Sequence, residues 1–172
     1  MILDLRQFET FPARLSLEAD ADKVEIDYEG VVRLNSGRMD LEIQKAGDEF
    51  FCQGDAIASI RLTCARCLKE FDRELDNSTN FIVCSKKWHD ECRAEEDNEE
   101  YVFFQGSDLQ ADVSDVMRQS VIMSISLKPL CSEDCKGLCP SCGINLNDNS
   151  CNCQKGKVDT RWEALKKISR LT

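Results

Sequence analysis

From Val24 onward the chain alternates between apolar and polar positions. Val24, Ile26 and Tyr28 are separated by charged residues; Met39, Leu41 and Ile43 follow, and then Ala58, Ile60, Leu62 and Cys64. A period of two puts every second side chain on one face, which predicts antiparallel strands with one buried side. The stretches NSG (35–37) and KAGDEF (45–50) lie between these runs and read as turns. Phe71, Leu75, Phe81 and Val83 continue the pattern. Residues 22–84 therefore read as a small antiparallel β-sheet, a meander or partly closed barrel. YVFF at 101–104 has the composition of a late strand returning to it. Residues 1 to about 20 read as a mixed lead-in segment.

From Asp112 the period changes. Val113, Val116, Met117, Val121 and Ile125 fall near i, i+3, i+4 and i+8, the stripe of an amphipathic helix packed on a core. Lys128-Pro129 is its expected end, because a residue before proline is pushed out of helical conformation. Near the C-terminus, DTRWEALKKISRLT predicts a short helix with Trp162, Leu165 and Ile168 on its packing face. Thr160 and Glu163 stand at capping-box spacing there. The expected fold is α+β: the sheet, the amphipathic helix, a Cys-rich zinc-binding segment and the short C-terminal helix. Residues 1–130 would form the β-rich domain with its helix, and 131–172 the zinc segment and terminal helix, docked as one unit.

Composition narrows the setting. The first twenty residues contain no apolar core of a secretory leader, and nowhere do eighteen apolar residues run together. A cytoplasmic protein without a membrane partner is expected. The formal net charge is −10, so a nucleic acid would be repelled by the surface as a whole. DECRAEEDNEE (90–100) reads as a solvated acidic loop, with docking of a basic partner as the other use of such a run. The opposite balance occurs from Gln154 on, where Lys155, Lys157, Arg161, Lys166, Lys167 and Arg170 face only Asp159 and Glu163. Those six are the candidate RNA-contacting residues.

Chemistry enters with the cysteines. Six of the 11 lie in CSEDCKGLCPSCGINLNDNSCNC, residues 131–153. In a reducing compartment such clusters bind metal more often than they form disulfides, and an odd total would leave one thiol over. Cys139-x2-Cys142-Gly143 has the form of a zinc knuckle, in which two thiolates converge and glycine permits the tight turn. Cys151-x-Cys153 offers a second pair and Cys131-x3-Cys135 a third. The set Cys135, Cys139, Cys142 and Cys153 is the first choice for one structural zinc, with Cys131 and Cys151 as alternates. Cys64-x2-Cys67 repeats the knuckle spacing and reads either as hairpin packing or as part of a second metal site. Cys52, Cys84 and Cys92 show no ligand spacing and read as packing residues. Redox catalysis by Cys139 and Cys142 fits poorly, since the flanks are not those of a strand-to-helix junction. The single histidine, His89, is remote from the cluster and reads as an exposed loop residue. No constellation calls for catalysis or for a small-molecule substrate.

CARCLKEF, then LKPLCSEDCKGLCPSCGINLN, CNC and DTRWEALKKI together resemble the YceD-type family of large ribosomal RNA subunit accumulation proteins, over roughly residues 20–171. Thr160 stands where that pattern usually has proline, and so does Ser126 or Leu127. The resemblance implies a non-catalytic factor for 23S rRNA accumulation and large ribosomal subunit assembly, with a large-subunit ribosomal protein or the 23S rRNA precursor as partner. A zinc-bearing adaptor outside the ribosome is the alternative; a nuclease trimming precursor RNA is a third reading, opposed by the acidic balance.

Overall fold

The structure, a computed structural model, describes residues 1–21, 24–92, 101–104 and 108–153. The chain divides into two compact units, Met1–Ala65 with Lys69–Cys131, and Arg66–Leu68 with the segment from Ser132 onward.

The first unit is mostly sheet. Three long strands, β3 (Val31–Ala46), β4 (Glu49–Thr63) and β5 (Glu70–Cys84), form an antiparallel meander. β2 (Ala13–Ala19) adds to β3, and β6 (Tyr101–Phe103) adds to β5 in parallel, giving the order β2-β3-β4-β5-β6. The sheet is thus open among the described residues, with β2 and β6 at its ends, and one of its pairings is parallel. A second, two-stranded sheet pairs β1 (Ile2–Asp4) with β7 (Gln110–Asp112). The described residues of the unit also include two α-helices, α1 (Lys86–Cys92) and α2 (Ser114–Ser124).

Period-two burial holds on the long strands. On β4, Cys52, Ala56, Ala58, Ile60 and Leu62 are buried, and Cys64 continues the row just past the strand. On β3 the inward residues are Met39, Leu41 and Ile43. Met117, Val121 and Ile125 of the helical stripe belong to the buried set with them. The KAGDEF turn is the β3–β4 hairpin, in which Ala46 pairs with Glu49 across a two-residue loop. Gly47 takes φ 62 there, a conformation open to glycine at no steric cost.

Several expectations change. NSG is no turn: β3 runs through it, and the register slips between Leu34 and Ser36. The slip is a bulge, and it reverses the alternation, so Leu34 and Met39 both point inward although their numbers differ in parity. Residues 24–28 form no strand; Val24 is buried, and Ile26 and Tyr28 pack against the core from an irregular segment. The lead-in contains β1, a 3-10 turn (Leu5–Gln7) capped by Asp4, and β2. α2 stops at Ser124, four residues before Lys128, with Ile125 already extended. The expected C-terminal helix lies outside the described residues.

Candidate metal centres

The described part of the second unit has no helix and no strand ladder, only the isolated bridge Leu138–Asn145. Backbone turns shape it: Gly143 N–H donates to Cys139 O (2.8 Å), Cys139 N–H to Ile144 O (2.8 Å) and Leu146 N–H to Gly137 O (2.9 Å). Its buried side chains are sulfurs, those of Cys67, Cys135 and Cys139. Cys139-Pro140-Ser141-Cys142-Gly143 closes as a tight loop, with Gly143 at φ 74. That loop aims the N–H groups of Cys142 and Ser141 at the Cys139 sulfur, and they hold its thiol down to about 6.

Four sulfurs, of Cys139, Cys142, Cys151 and Cys153, lie within 4.8 Å of one another. Their crowding shows in opposed shifts. Cys153 is pushed up to about 12, chiefly by its hydrogen bond with the Cys142 sulfur. The Cys153 N–H favours the Cys151 thiolate, but the Cys139 and Cys142 sulfurs outweigh it and the net shift is upward. One thiolate is cheap here and the others repel it, the condition that a bound cation relieves. The donor set therefore fits a thiophilic divalent ion such as zinc.

Of the remaining candidates, Cys64 and Cys131 belong to the first unit, and Cys67 and Cys135 to the second; Cys64, Cys67 and Cys135 are buried and Cys131 is half-buried. Within the first unit, Cys64 N–H donates to Lys69 O (2.9 Å) and Ala65 N–H to Pro129 O (2.8 Å), which fixes the ends of the strands around Cys64 and Cys131. Within the second, the Arg66 guanidinium donates to Cys135 O (2.9 Å), and Leu138 N–H donates to Arg66 O (3.2 Å). Asn147 donates from Nδ2 to Cys135 Sγ (3.3 Å) and accepts Lys136 N–H on Oδ1 (2.7 Å). Such a donor to a ligand sulfur orients it and lowers its charge cost.

The first-choice set of Cys135, Cys139, Cys142 and Cys153 is divided differently in space. Cys151 takes the place of Cys135 beside the other three. Spacing along the chain cannot reveal this, because Cys131, Cys135 and Cys151 all stand within reach of the knuckle by number alone. Cys52 and Cys84 lie outside the group; burial pushes their thiols up to about 12 and about 11. The side chain of Cys92 lies outside the described ones. So do the acidic residues 93–100 and all six basic candidates, Lys155, Lys157, Arg161, Lys166, Lys167 and Arg170.

His89 is no exposed loop residue. It sits on α1 with 1% exposure, its ring 4.5 Å from that of Tyr101 and 5.3 Å from that of Phe103. Neither ring nitrogen has a hydrogen-bond partner among the described residues. The acidic run hides this helix, since Lys86-Lys87-Trp88-His89 carries no readable period of its own. Asn147, which donates to the Cys135 sulfur, is a residue that ligand spacing does not single out; its place two positions after Asn145, in a segment of many sulfurs, is the only signal it gives.

No helix of the described residues is long and apolar enough to cross a membrane. The model of the family "Large ribosomal RNA subunit accumulation protein YceD" matches residues 52–169, a span containing the group of four sulfurs. An uncharacterized protein of Mycobacterium tuberculosis is 27% identical over 154 residues, 90% of this chain and 68% of its own length. A chloroplastic "Large ribosomal RNA subunit accumulation protein YCED homolog 1" of Zea mays is 36% identical over 63 residues, 36% of this chain and 22% of its own. Its Arabidopsis thaliana namesake is 34% identical over 56 residues, 33% of this chain and 17% of its own. No solved structure matches.

Proposed function

Because the chain belongs to the YceD family of large ribosomal RNA subunit accumulation proteins, we propose that it is a non-catalytic cytoplasmic factor for 23S rRNA accumulation and large-subunit assembly. The observation that carries this reading is the family match across residues 52–169. Zinc is its structural cofactor in this reading, held by Cys139, Cys142, Cys151 and Cys153, with the knuckle-spaced pair Cys64 and Cys67 as ligands of a second ion. The cysteines would bind as thiolates, and the ion would supply cross-linking and charge neutralisation with no open position for water.

The sheet is the scaffold in this proposal and the cysteine-rich segment the recognition end. The partner is a basic large-subunit ribosomal protein, the 23S rRNA precursor, or both. RNA contact is assigned to Lys155, Lys157, Arg161, Lys166, Lys167 and Arg170, whose charge opposes that of the rest of the chain. Depletion of the protein in its host should lower 23S rRNA relative to 16S. An unchanged ratio, with pulldowns that recover neither ribosomal proteins nor rRNA, would replace this reading with that of an adaptor outside the ribosome.

A further inference from the structure

The cysteines differ in their access to solvent. Cys52, Cys64, Cys67, Cys84 and Cys135 are buried, and Cys131 is half-buried. In the group of four sulfurs only Cys139 is buried; Cys151 is half-buried, and Cys142 and Cys153 are exposed. Thiol oxidation follows sulfur access and thiolate character. A metal-bound sulfur is a thiolate, so this group combines thiolate character with access.

We propose that Cys139, Cys142, Cys151 and Cys153 form an oxidant-sensitive metal site, whose ion is released by peroxide while the buried cysteines stay reduced. The proposal rests on the zinc reading given above. The chemistry balances without any resident redox group. An exposed thiolate, that of Cys142 or Cys153, attacks one oxygen of hydrogen peroxide. The O–O bond breaks, and the departing hydroxide takes a proton and leaves as water. The sulfenic acid so formed is attacked by a neighbouring thiolate of the same group, all four sulfurs lying within 4.8 Å. The S–O bond breaks, the departing hydroxide takes a second proton and leaves as water, and a disulfide remains. Two electrons have passed from the sulfurs to peroxide. The ion itself is not oxidised; it has lost two of its four ligands and dissociates. A thiol reductant and added zinc return the site to its starting state.

Burial makes the consequence local. In the described part of the second unit the buried side chains are cysteines, so little apolar packing stands in for the ion once it leaves.

The experiment uses the full chain purified under reducing conditions, with zinc content measured first. Hydrogen peroxide is then added, with zinc release followed by a chromogenic chelator and oxidised cysteines mapped by differential alkylation and mass spectrometry. The expected result is early loss of one zinc equivalent, with disulfides confined to Cys139, Cys142, Cys151 and Cys153, reversed by reductant and zinc. First oxidation at Cys64, Cys67, Cys131 or Cys135, or zinc retention under peroxide that fully oxidises free cysteine, would each overturn the proposal. Protein carrying no zinc before peroxide is added would overturn the zinc reading, and this proposal with it. Bound zinc that resists peroxide would leave that reading standing and remove only the present one.

Discussion

At the scale of single residues, two positions carry more than their side-chain chemistry suggests. Gly54 lies on β4, where an added Cβ would stand 1.8 Å from the Asp40 carbonyl oxygen on the neighbouring strand. Backbone cannot yield as a flexible side chain can, so Gly54→Ala is expected to destabilise the sheet by about 3 kcal/mol or more. A denaturant titration that leaves the midpoint unmoved would refute this. Asn147 touches sulfur directly through Nδ2 and also ties down Lys136 N–H. Replacing it by alanine removes a hydrogen bond to the Cys135 sulfur without removing a ligand. Metal affinity should fall by roughly 10- to 100-fold, the usual cost of losing an outer-shell partner. Competition against a chelator of known affinity measures it, and an unchanged affinity would mean that Asn147 only shapes the loop.

At the scale of elements, the sheet is legible wherever side chains alternate without interruption. β4 is the clear case: from Cys52 to Cys64 one parity is buried, Gly54 alone being half-buried, as its pattern states. β3 is half legible, because a bulge at Leu34–Ser36 shifts the parity and its NSG composition imitates a turn. β2 alternates as clearly as β4 in Ala13, Leu15, Leu17 and Ala19, but beyond Ala13 its inward residues are only partly buried and its run is short. The grouping of cysteines is not legible, since it arises from tertiary contacts of segments far apart in the chain, as in the Arg66 guanidinium reaching Glu133 O and Cys135 O. The second unit also behaves differently from the first. The first has an apolar core shared among β3, β4, β5 and α2, whereas the second buries sulfur. Zinc binding supplies on the order of 10 kcal/mol of folding free energy in small thiolate sites, while a short segment whose described buried side chains are sulfurs gains little from apolar packing. Chelation should therefore abolish amide-exchange protection in residues 132–153 and leave β3, β4 and β5 protected. Persistent protection of that segment in metal-free protein would show that its turns suffice without an ion.

At the scale of the whole molecule, charge is divided unequally. The chain carries −10 overall, yet six basic residues lie between Lys155 and Arg170. If this end meets phosphates, exchanging Lys166, Lys167 and Arg170 for glutamine should weaken RNA binding and lower the slope of log affinity against log salt by about 2 to 3, close to one for each phosphate no longer neutralised. Equal slopes for the two proteins would assign RNA binding to another surface. The acidic excess has a use in the first unit as well. β6 covers β5 only at Ile82–Cys84, so among the described residues the stretch from Glu70 to Phe81 has no further strand beside it. An open ladder of that length is a template on which another chain can crystallise into fibre. Here it carries Glu70, Asp72, Glu74 and Asp76 against the single Arg73, and charges along a free border are what natural sheets use to keep copies apart. Charge along this border thus opposes edge-to-edge pairing of copies.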